Sequence, residues 1–222
     1  MGPIGVFGGT FDPIHIGHLR IAVKAFETLR LAQLRFIPSF LTPGRPAPTA
    51  SASARLAMIE AAVAGQPGFI ADGREIARGG ASYTIDTLIE LRAEWPSTPL
   101  CLLLGMDAFL SLPRWHRWRE IFDYAHVVVA HRPGWTVKAD SLLGEVFIDR
   151  STGSTRELHE STAGRIHITK DWTQLQISST AIRQMVLSRR DIRFLVPDAV
   201  HRMINDDPCY AARGEISCVN PI

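Results

Sequence analysis

The chain has 222 residues, 46% of them apolar and 21% charged, the profile of an ordinary globular protein with enough length for one sizeable core. Lys plus Arg number 24 and Asp plus Glu 22, a formal charge of +2, which excludes a general nucleic-acid binder with a basic face but leaves room for a pocket that takes a small phosphate. Cys101, Cys209 and Cys218 make an odd count with no CxxC pair, which excludes a disulfide framework or a cysteine-rich zinc module and predicts a reducing compartment.

No positive n-region precedes an apolar run at the start, and no stretch reaches the roughly 18 apolar residues of a membrane span. The expectation is a cytoplasmic protein with no membrane partner. Short apolar runs then alternate with amphipathic stretches, the pattern of βαβ units around a parallel sheet. Residues 4–7 read as a buried strand running into a glycine turn at Gly8-Gly9. His18, Ala22, Ala25 and Leu29 follow at helical spacing. Residues 34–38 read as a second strand, opening onto the proline-rich loop 42–48. Ser53 is the expected cap of the next helix, which carries Leu56, Ile59 and Val63. Residues 69–71 form a weak strand, and a helix starts at Ser82 or Thr84. Residues 100–104 and 127–130 are the clearest buried strands, and 166–169 the last. Helices are expected from Ser179 and from Asp198, the latter the final one. The fold class is therefore α/β, a doubly wound parallel sheet. One domain is expected over 1–207, with 132–165 as a surface insertion and 208–222 as a C-terminal tail.

Two segments carry chemistry. At the end of the first strand stands Gly8-Gly9-Thr10-Phe11-Asp12-Pro13-Ile14-His15-Ile16-Gly17-His18. Paired glycines let backbone amides approach a phosphate, or simply make a tight turn. His15 and His18, three apart, share one side of a helix turn and could donate to oxyanion oxygens. They could equally be histidines satisfied within the fold, or a zinc pair with Asp12, although the Glu of a metalloprotease helix is missing. Far downstream, Ile177-Ser178-Ser179-Thr180-Ala181-Ile182-Arg183 offers a helix start rich in hydroxyls with an arginine one turn in. That is either an anion nest with a guanidinium fork or an ordinary N-cap.

Together the two segments resemble the nucleotidylyltransferases that carry the HxGH motif, and within them the bacterial nicotinate-nucleotide adenylyltransferases. Arg78-Gly79-Gly80-Ala81-Ser82-Tyr83-Thr84, Gly105-Met106-Asp107, Leu112-Pro113-Arg114-Trp115 and His131-Arg132-Pro133-Gly134 match in the expected order, so the resemblance spans roughly residues 4–204. It implies a Rossmann-like fold and transfer of AMP from ATP, as its Mg²⁺ complex, to nicotinate mononucleotide, with no resident metal and no nucleic acid. It further implies that Gly8, Gly9 and Thr10 approach the ATP phosphates and that His15 and His18 contact the α- and β-phosphates. Ser178, Ser179, Thr180 and Arg183 would hold the triphosphate, Gly105 and Asp107 the adenosine. Trp115 would stack on the pyridine ring, with Trp118 left for packing, and backbone amides near Thr84 would meet the nicotinate carboxylate. Where the family commonly has Pro-Pro-His-Lys or Pro-Pro-His-Arg, this chain has Thr42-Pro43-Gly44-Arg45. The basic residue is kept as a phosphate ligand, Arg45, and the histidine is replaced by Gly44.

The alternatives are the same chemistry on nicotinamide mononucleotide or phosphopantetheine, an RNA-handling protein sharing His15-Ile16-Gly17-His18, or a silent nucleotide-binding regulator. Length and the Ser82-Tyr83-Thr84 and Trp115 segments weigh against phosphopantetheine. Neutral charge and the lack of a Lys-Met-Ser-Lys-Ser-like loop weigh against RNA. Oligomeric state is not readable from these features.

Overall fold

The computed structural model describes residues 2–131, 134, 137–169, 172 and 175–211. The chain runs β1 (Ile4–Gly9), α1 (Ile16–Thr28), β2 (Gln33–Pro38), α2 (Ala52–Val63), β3 (Phe69–Ala71), α3 (Arg74–Arg78), α4 (Thr84–Glu94), β4 (Leu100–Gly105) and α5 (Met106–Leu110). Two 3-10 turns, Leu112–Arg114 and Trp118–Glu120, lead to α6 (Ile121–Tyr124) and β5 (His126–Ala130). Then come α7 (Leu142–Arg150), α8 (Glu157–Glu160), β6 (Ile166–Thr169), α9 (Ser179–Leu187), α10 (Asp198–Asp206) and α11 (Pro208–Ala211). The strands form one sheet in the order β3-β2-β1-β4-β5-β6, with β1 on β4, β4 on β5 and β5 on β6 all parallel. This is the doubly wound, Rossmann-like arrangement expected from the alternating pattern. Its strand order reverses between β1 and β4, and open α/β sheets bind ligands outside the carboxyl ends of strands at such a reversal.

The elements gather into two compact units. The first comprises Met1–Gly8, Ile21–Arg35 and Tyr83–Gln174. Its core is the run Leu100–Leu104 of β4 and the valines of β5, which are buried on both faces, as parallel strands covered by helices must be. Ala22, Ala25 and Leu29 of α1 and Ile85, Leu88 and Leu91 of α4 supply the helical side of that core. The stretch 137–165 connects β5 to β6 through α7 and α8, and Leu143 and Leu158 bury there at 3% and 0% exposure. Sequence periodicity missed these two helices because α7, nine residues long, buries a single large apolar side chain, Leu143, and α8 is only four residues long with Leu158 alone buried. Cys101 is free in β4, and burial pushes its thiol up to about 12, so it is chemically inert.

The second unit comprises Gly9–Arg20, Phe36–Ser82 and Leu175–Ile222. Here α10 packs on α2, α2 on β3, and α11 on α9 and α10. Four local expectations are corrected. Strand β1 continues through Gly8-Gly9, neither of which has positive φ, so the pair is not the tight turn expected of it. Ser51, not Ser53, caps α2, its hydroxyl accepting from Ala54 N at 3.1 Å. Helix α10 is not the last, because Pro208, good at a first helical position, starts α11 within the segment expected to be a tail. Cys209 is disulfide-bonded, which an odd count of three could not reveal. Arg132, Pro133, Cys218 and the tail beyond Ala211 lie outside the described residues. No helix among the described residues is long and apolar enough to cross a membrane.

Two polar devices hold the first unit. Arg92 donates to the carbonyls of Trp95 (2.9 Å), Thr98 (2.7 Å), Tyr124 (2.7 Å) and Thr162 (2.8 Å), ending α4 and tying it to α6 and the loop before β6. Arg92→Ala should cost about 2–3 kcal/mol in denaturant unfolding, and Arg92→Lys should recover little, because one ammonium cannot span the fan of acceptors. His126, fully buried, donates from Nε2 to Ser161 O at 2.8 Å and accepts from Arg165 N at Nδ1 at 3.0 Å. Burial lowers its pKa from the ordinary 6.5, so the unfolded chain binds the proton more readily than the folded one. Stability should therefore fall as pH drops below about 6.5. Urea midpoints between pH 7 and 5 should show that fall, and His126→Gln should remove one share of it, His15 and His18, whose pKa values burial also lowers, supplying the rest.

Candidate active site

In the second unit, His15 stands at the N-cap of α1 and His18 at its third position. The two imidazoles stack with centroids 3.6 Å apart and planes 17° from parallel. His18 N donates to His15 Nδ1 at 3.3 Å, and His15 N donates to His18 Nδ1 at 3.3 Å. This is the reciprocal pattern of a capping box, with imidazoles in place of the usual Ser/Thr and Glu. It satisfies backbone donors that a helix start otherwise leaves open. It also fixes the tautomer: a ring accepting at Nδ1 carries its proton on Nε2, so each ring is a neutral Nε2–H donor. Burial lowers the His15 pKa to about 4. Burial first, and the neighbouring His15 second, hold His18 well below 6.5. Two charged rings could not share this stack.

Gly17 is what allows it. A Cβ there would stand 3.0 Å from His15 Nδ1 and 3.1 Å from Cε1, close enough that the first ring would have to give by a few tenths of an ångström. The reason for glycine inside the His-x-Gly-His pattern is therefore close approach. Phe11 turns the chain with φ of 49°, unusual for a residue with a side chain. Its ring is buried, edge-on to His18 with centroids 5.1 Å apart and 6.2 Å from Phe36.

Beneath the turn sits Asp12, 3% exposed. Its Oδ2 accepts from Thr49 N at 2.7 Å, and its Oδ1 from Ala50 N at 3.1 Å and from the Tyr210 hydroxyl at 2.8 Å. Arg55, 1% exposed, donates to Thr10 O at 2.8 Å, Phe40 O at 3.2 Å and Ala50 O at 3.4 Å. Arg183 donates from Nη1 to Asp12 O at 2.6 Å, and the same nitrogen lies 3.6 Å from Asp12 Oδ2. Its Nη2 is 3.4 Å from Thr180 Oγ1. The Ser178 hydroxyl caps α9, accepting from Ala181 N at 3.1 Å, and the Ser179 hydroxyl donates to Pro13 O at 2.9 Å. The Ser179 hydroxyl and the Ser178 oxygen are thus engaged in the fold, and what α9 offers an anion is the amides of Ser178, Ser179 and Thr180, ahead of its first helical hydrogen bonds. The two segments singled out in the sequence, 165 or so residues apart, are joined here by Ser179 and Arg183. Asp12, the third ligand that a zinc pair would need, has its oxygens taken up by amides and the phenol. Among the described residues no group of three or more His, Cys, Asp and Glu side chains is placed to hold a metal.

Arg45 lies exposed on the loop after β2, where its N–H donates to Thr42 O at 3.2 Å. Pro43 and Gly44, the latter at φ of 72°, occupy the central positions in the pattern of a type II turn. Glycine at Gly44 is thus a conformational choice, since few L-residues adopt that φ without strain.

In the first unit, Gly8 is the penultimate residue of β1 and Gly105 the last of β4, the two strands that flank the reversal of strand order. Gly105 is also the N-cap of α5, with open space where its Cβ would be, and Asp107 is exposed in the first turn of that helix. Thr84 is the first residue of α4. Just before it, the Tyr83 ring lies 4.5 Å from that of His116, and Arg117 reaches Asp86 at 3.9 Å and Glu120 at 2.6 Å. The loop bearing Trp115 is therefore fastened to the start of α4. Trp115 is half-buried; Trp118 is buried at 7% exposure and packs edge-on to Phe122.

Sequence reasoning passed over Arg55 and Tyr210 and gave Asp12 only a metal-ligand reading. Arg55 had a signal: it falls on the apolar face of α2, three and four residues before the buried Met58 and Ile59. Tyr210 had none, because its partner is 198 residues away.

The sequence profile of the cytidylyltransferase-like family matches residues 6–185. A protein of Aeromonas hydrophila subsp. hydrophila named "Probable nicotinate-nucleotide adenylyltransferase" is 46% identical over 208 residues, 94% of this chain and 97% of that one. A protein of the same name from Methylococcus capsulatus is 44% identical over 94% of this chain and 99% of its own. Among solved structures, the Plasmodium falciparum nicotinic acid mononucleotide adenylyltransferase complexed with NaAD shares the fold, with a TM-score of 0.71 at 13% identity over 95% of this chain and 98% of that one. The chain belongs to the cytidylyltransferase-like family and, within it, to the nicotinate-nucleotide adenylyltransferases.

Proposed function

We propose that the protein joins ATP, entering as its Mg²⁺ complex, to nicotinate mononucleotide, giving deamido-NAD and pyrophosphate. An oxygen of the mononucleotide 5′-phosphate attacks the α-phosphorus of ATP, a new P–O–P bond forms, and the bond to the β-phosphate breaks with its electron pair on pyrophosphate. No protein nucleophile is required, so the protein contributes positioning and charge stabilisation. The observation that carries this reading is the His15–His18 pair, two neutral Nε2–H donors fixed at the positive end of a helix. Such donors need no reorganisation as charge develops on the phosphate oxygens.

In this reading His15 and His18 donate to oxygens of the α- and β-phosphates, with the amides of Gly8, Gly9 and Thr10 alongside. Arg183 and the amides of Ser178, Ser179 and Thr180 hold the rest of the triphosphate, and Arg45 is a further phosphate ligand. Gly105 leaves room for the adenosine and Asp107 accepts from a ribose hydroxyl. Trp115 stacks on the pyridine ring, and amides at the start of α4, near Thr84, donate to the nicotinate carboxylate. Residues 1–207 work as one catalytic domain, and the cytoplasm, where ATP is made and used, is its place.

His18→Ala should lower kcat by about 10²–10³ while circular dichroism shows a folded chain, because one preorganised donor to developing charge is lost. Near-normal kcat would remove His18 from the chemistry. Nicotinate mononucleotide should exceed nicotinamide mononucleotide in kcat/KM by at least about a hundredfold, since a carboxamide turns its NH₂ toward an amide donor. Thr84→Ala should keep that ratio, the donors being backbone, whereas Trp115→Ala should slow both acceptors. Comparable rates with the two acceptors would refute the assignment of the carboxylate to α4.

A further inference from the structure

We propose that Tyr210, on the C-terminal helix α11, is a positioning residue for ATP: by hydrogen-bonding the Asp12 carboxylate it keeps that carboxylate from capturing Arg183, and so keeps the guanidinium turned toward the triphosphate. This rests on the reading of Arg183 as a triphosphate ligand.

A buried carboxylate needs several partners before it is stable without a full ion pair. Asp12 has three neutral donors, the amides of Thr49 and Ala50 and the Tyr210 phenol, at 2.7, 3.1 and 2.8 Å. With these in place the ion pair of Arg183 with Oδ2 stays long, 3.6 Å, while the same nitrogen makes its short bond, 2.6 Å, to the backbone carbonyl of Asp12. That bond orients the arginine and leaves it 28% exposed. Tyr210 is suited to the task. It is 2% exposed, and burial, with the Asp12 charge second, holds its phenol far above the ordinary range, so it stays a donor. Helix α11 packs against α9, which carries Arg183, so one short element fixes both partners. The start of α11 is itself held by Asp207, whose carboxylate accepts from Cys209 N at 2.8 Å. Without the phenol, Oδ1 keeps only the Ala50 amide, and the nearest source of compensating charge is Arg183. The carboxylate and guanidinium would close on each other, and the triphosphate would lose its fork.

The test is steady-state kinetics on the full chain with Mg²⁺-ATP and nicotinate mononucleotide, comparing Tyr210→Phe, Arg183→Lys and the double variant. KM values do not depend on the fraction of enzyme that is folded, so modest destabilisation does not obscure them. Tyr210→Phe should raise the KM for ATP at least about tenfold and leave that for the mononucleotide within about twofold, the effect of one hydrogen bond to a charged group. Because Tyr210 acts through Arg183, the double variant should be little worse for ATP than Arg183→Lys alone. Equal increases for both substrates, or effects that multiply in the double variant, would overturn the proposal. Should Tyr210→Phe yield no active protein, Asp207→Ala loosens α11 while leaving the phenol in the chain. It should show the same ATP-selective increase, and its absence would equally overturn the proposal. If Arg183→Lys itself leaves the KM for ATP unchanged, the triphosphate role of Arg183 fails first. If Arg183→Lys raises it and Tyr210→Phe does not, only the role of Tyr210 falls.

Discussion

A carboxylate 3% exposed to solvent must find its solvation inside the protein, and at Asp12 that requirement shapes the surrounding architecture. Its partners come from three distant stretches: the amides of Thr49 and Ala50 ahead of α2, Arg183 on α9 and Tyr210 on α11. Each of those stretches is thereby held in place relative to the turn between β1 and α1. Arg55 completes the frame by gathering the carbonyls of Thr10, Phe40 and Ala50, so the loop's orphan acceptors face a cation as its orphan donors face an anion. Removing Arg55 would leave those buried carbonyls, and removing Asp12 those amides and the phenol, without a partner that each now has.

On that frame the histidine pair can be neutral and rigid at once. A protonated imidazole would bring more charge to a phosphate, but it could not accept an amide at Nδ1 or stack against a second ring. The structure favours fixed Nε2–H donors at a helix start over mobile cations. Positive character then comes from the helix N-terminus and from Arg183. In the other unit the logic is different. There the reversal of strand order opens the sheet beside Gly8 and Gly105, and the Tyr83–His116 and Arg117–Asp86 contacts fasten an aromatic loop to the start of α4.

Local patterns in the chain carried the sheet. Continuous apolar runs such as 100–104 and 127–130 can bury on both faces only in a parallel sheet under helices, and the weak strand read at 69–71 is β3. Elements whose burial is slight were not legible. Helices α7 and α8 each bury a single leucine, and α8 and α11 are only four residues long, so none offers an apolar period to detect. The cap of α2 illustrates a finer limit, since Ser51 and Ser53 have equal propensity and only the entry of the chain into the helix selects the first.

The sequence by itself determined the alternating α/β class, the strands of the core, the two phosphate-handling segments and the family resemblance, because each is written in residues close together or at a fixed helical or strand period. Tertiary structure alone decided what those residues do to one another. That the Ser179 hydroxyl reaches Pro13, that Arg183 reaches Asp12 and that Asp12 meets Tyr210 across 198 positions all follow from where the backbone returns. Helix caps such as Ser178 have a fixed spacing along the chain, but bonds with a reach of about 3 Å between residues this far apart in sequence have none to be read from.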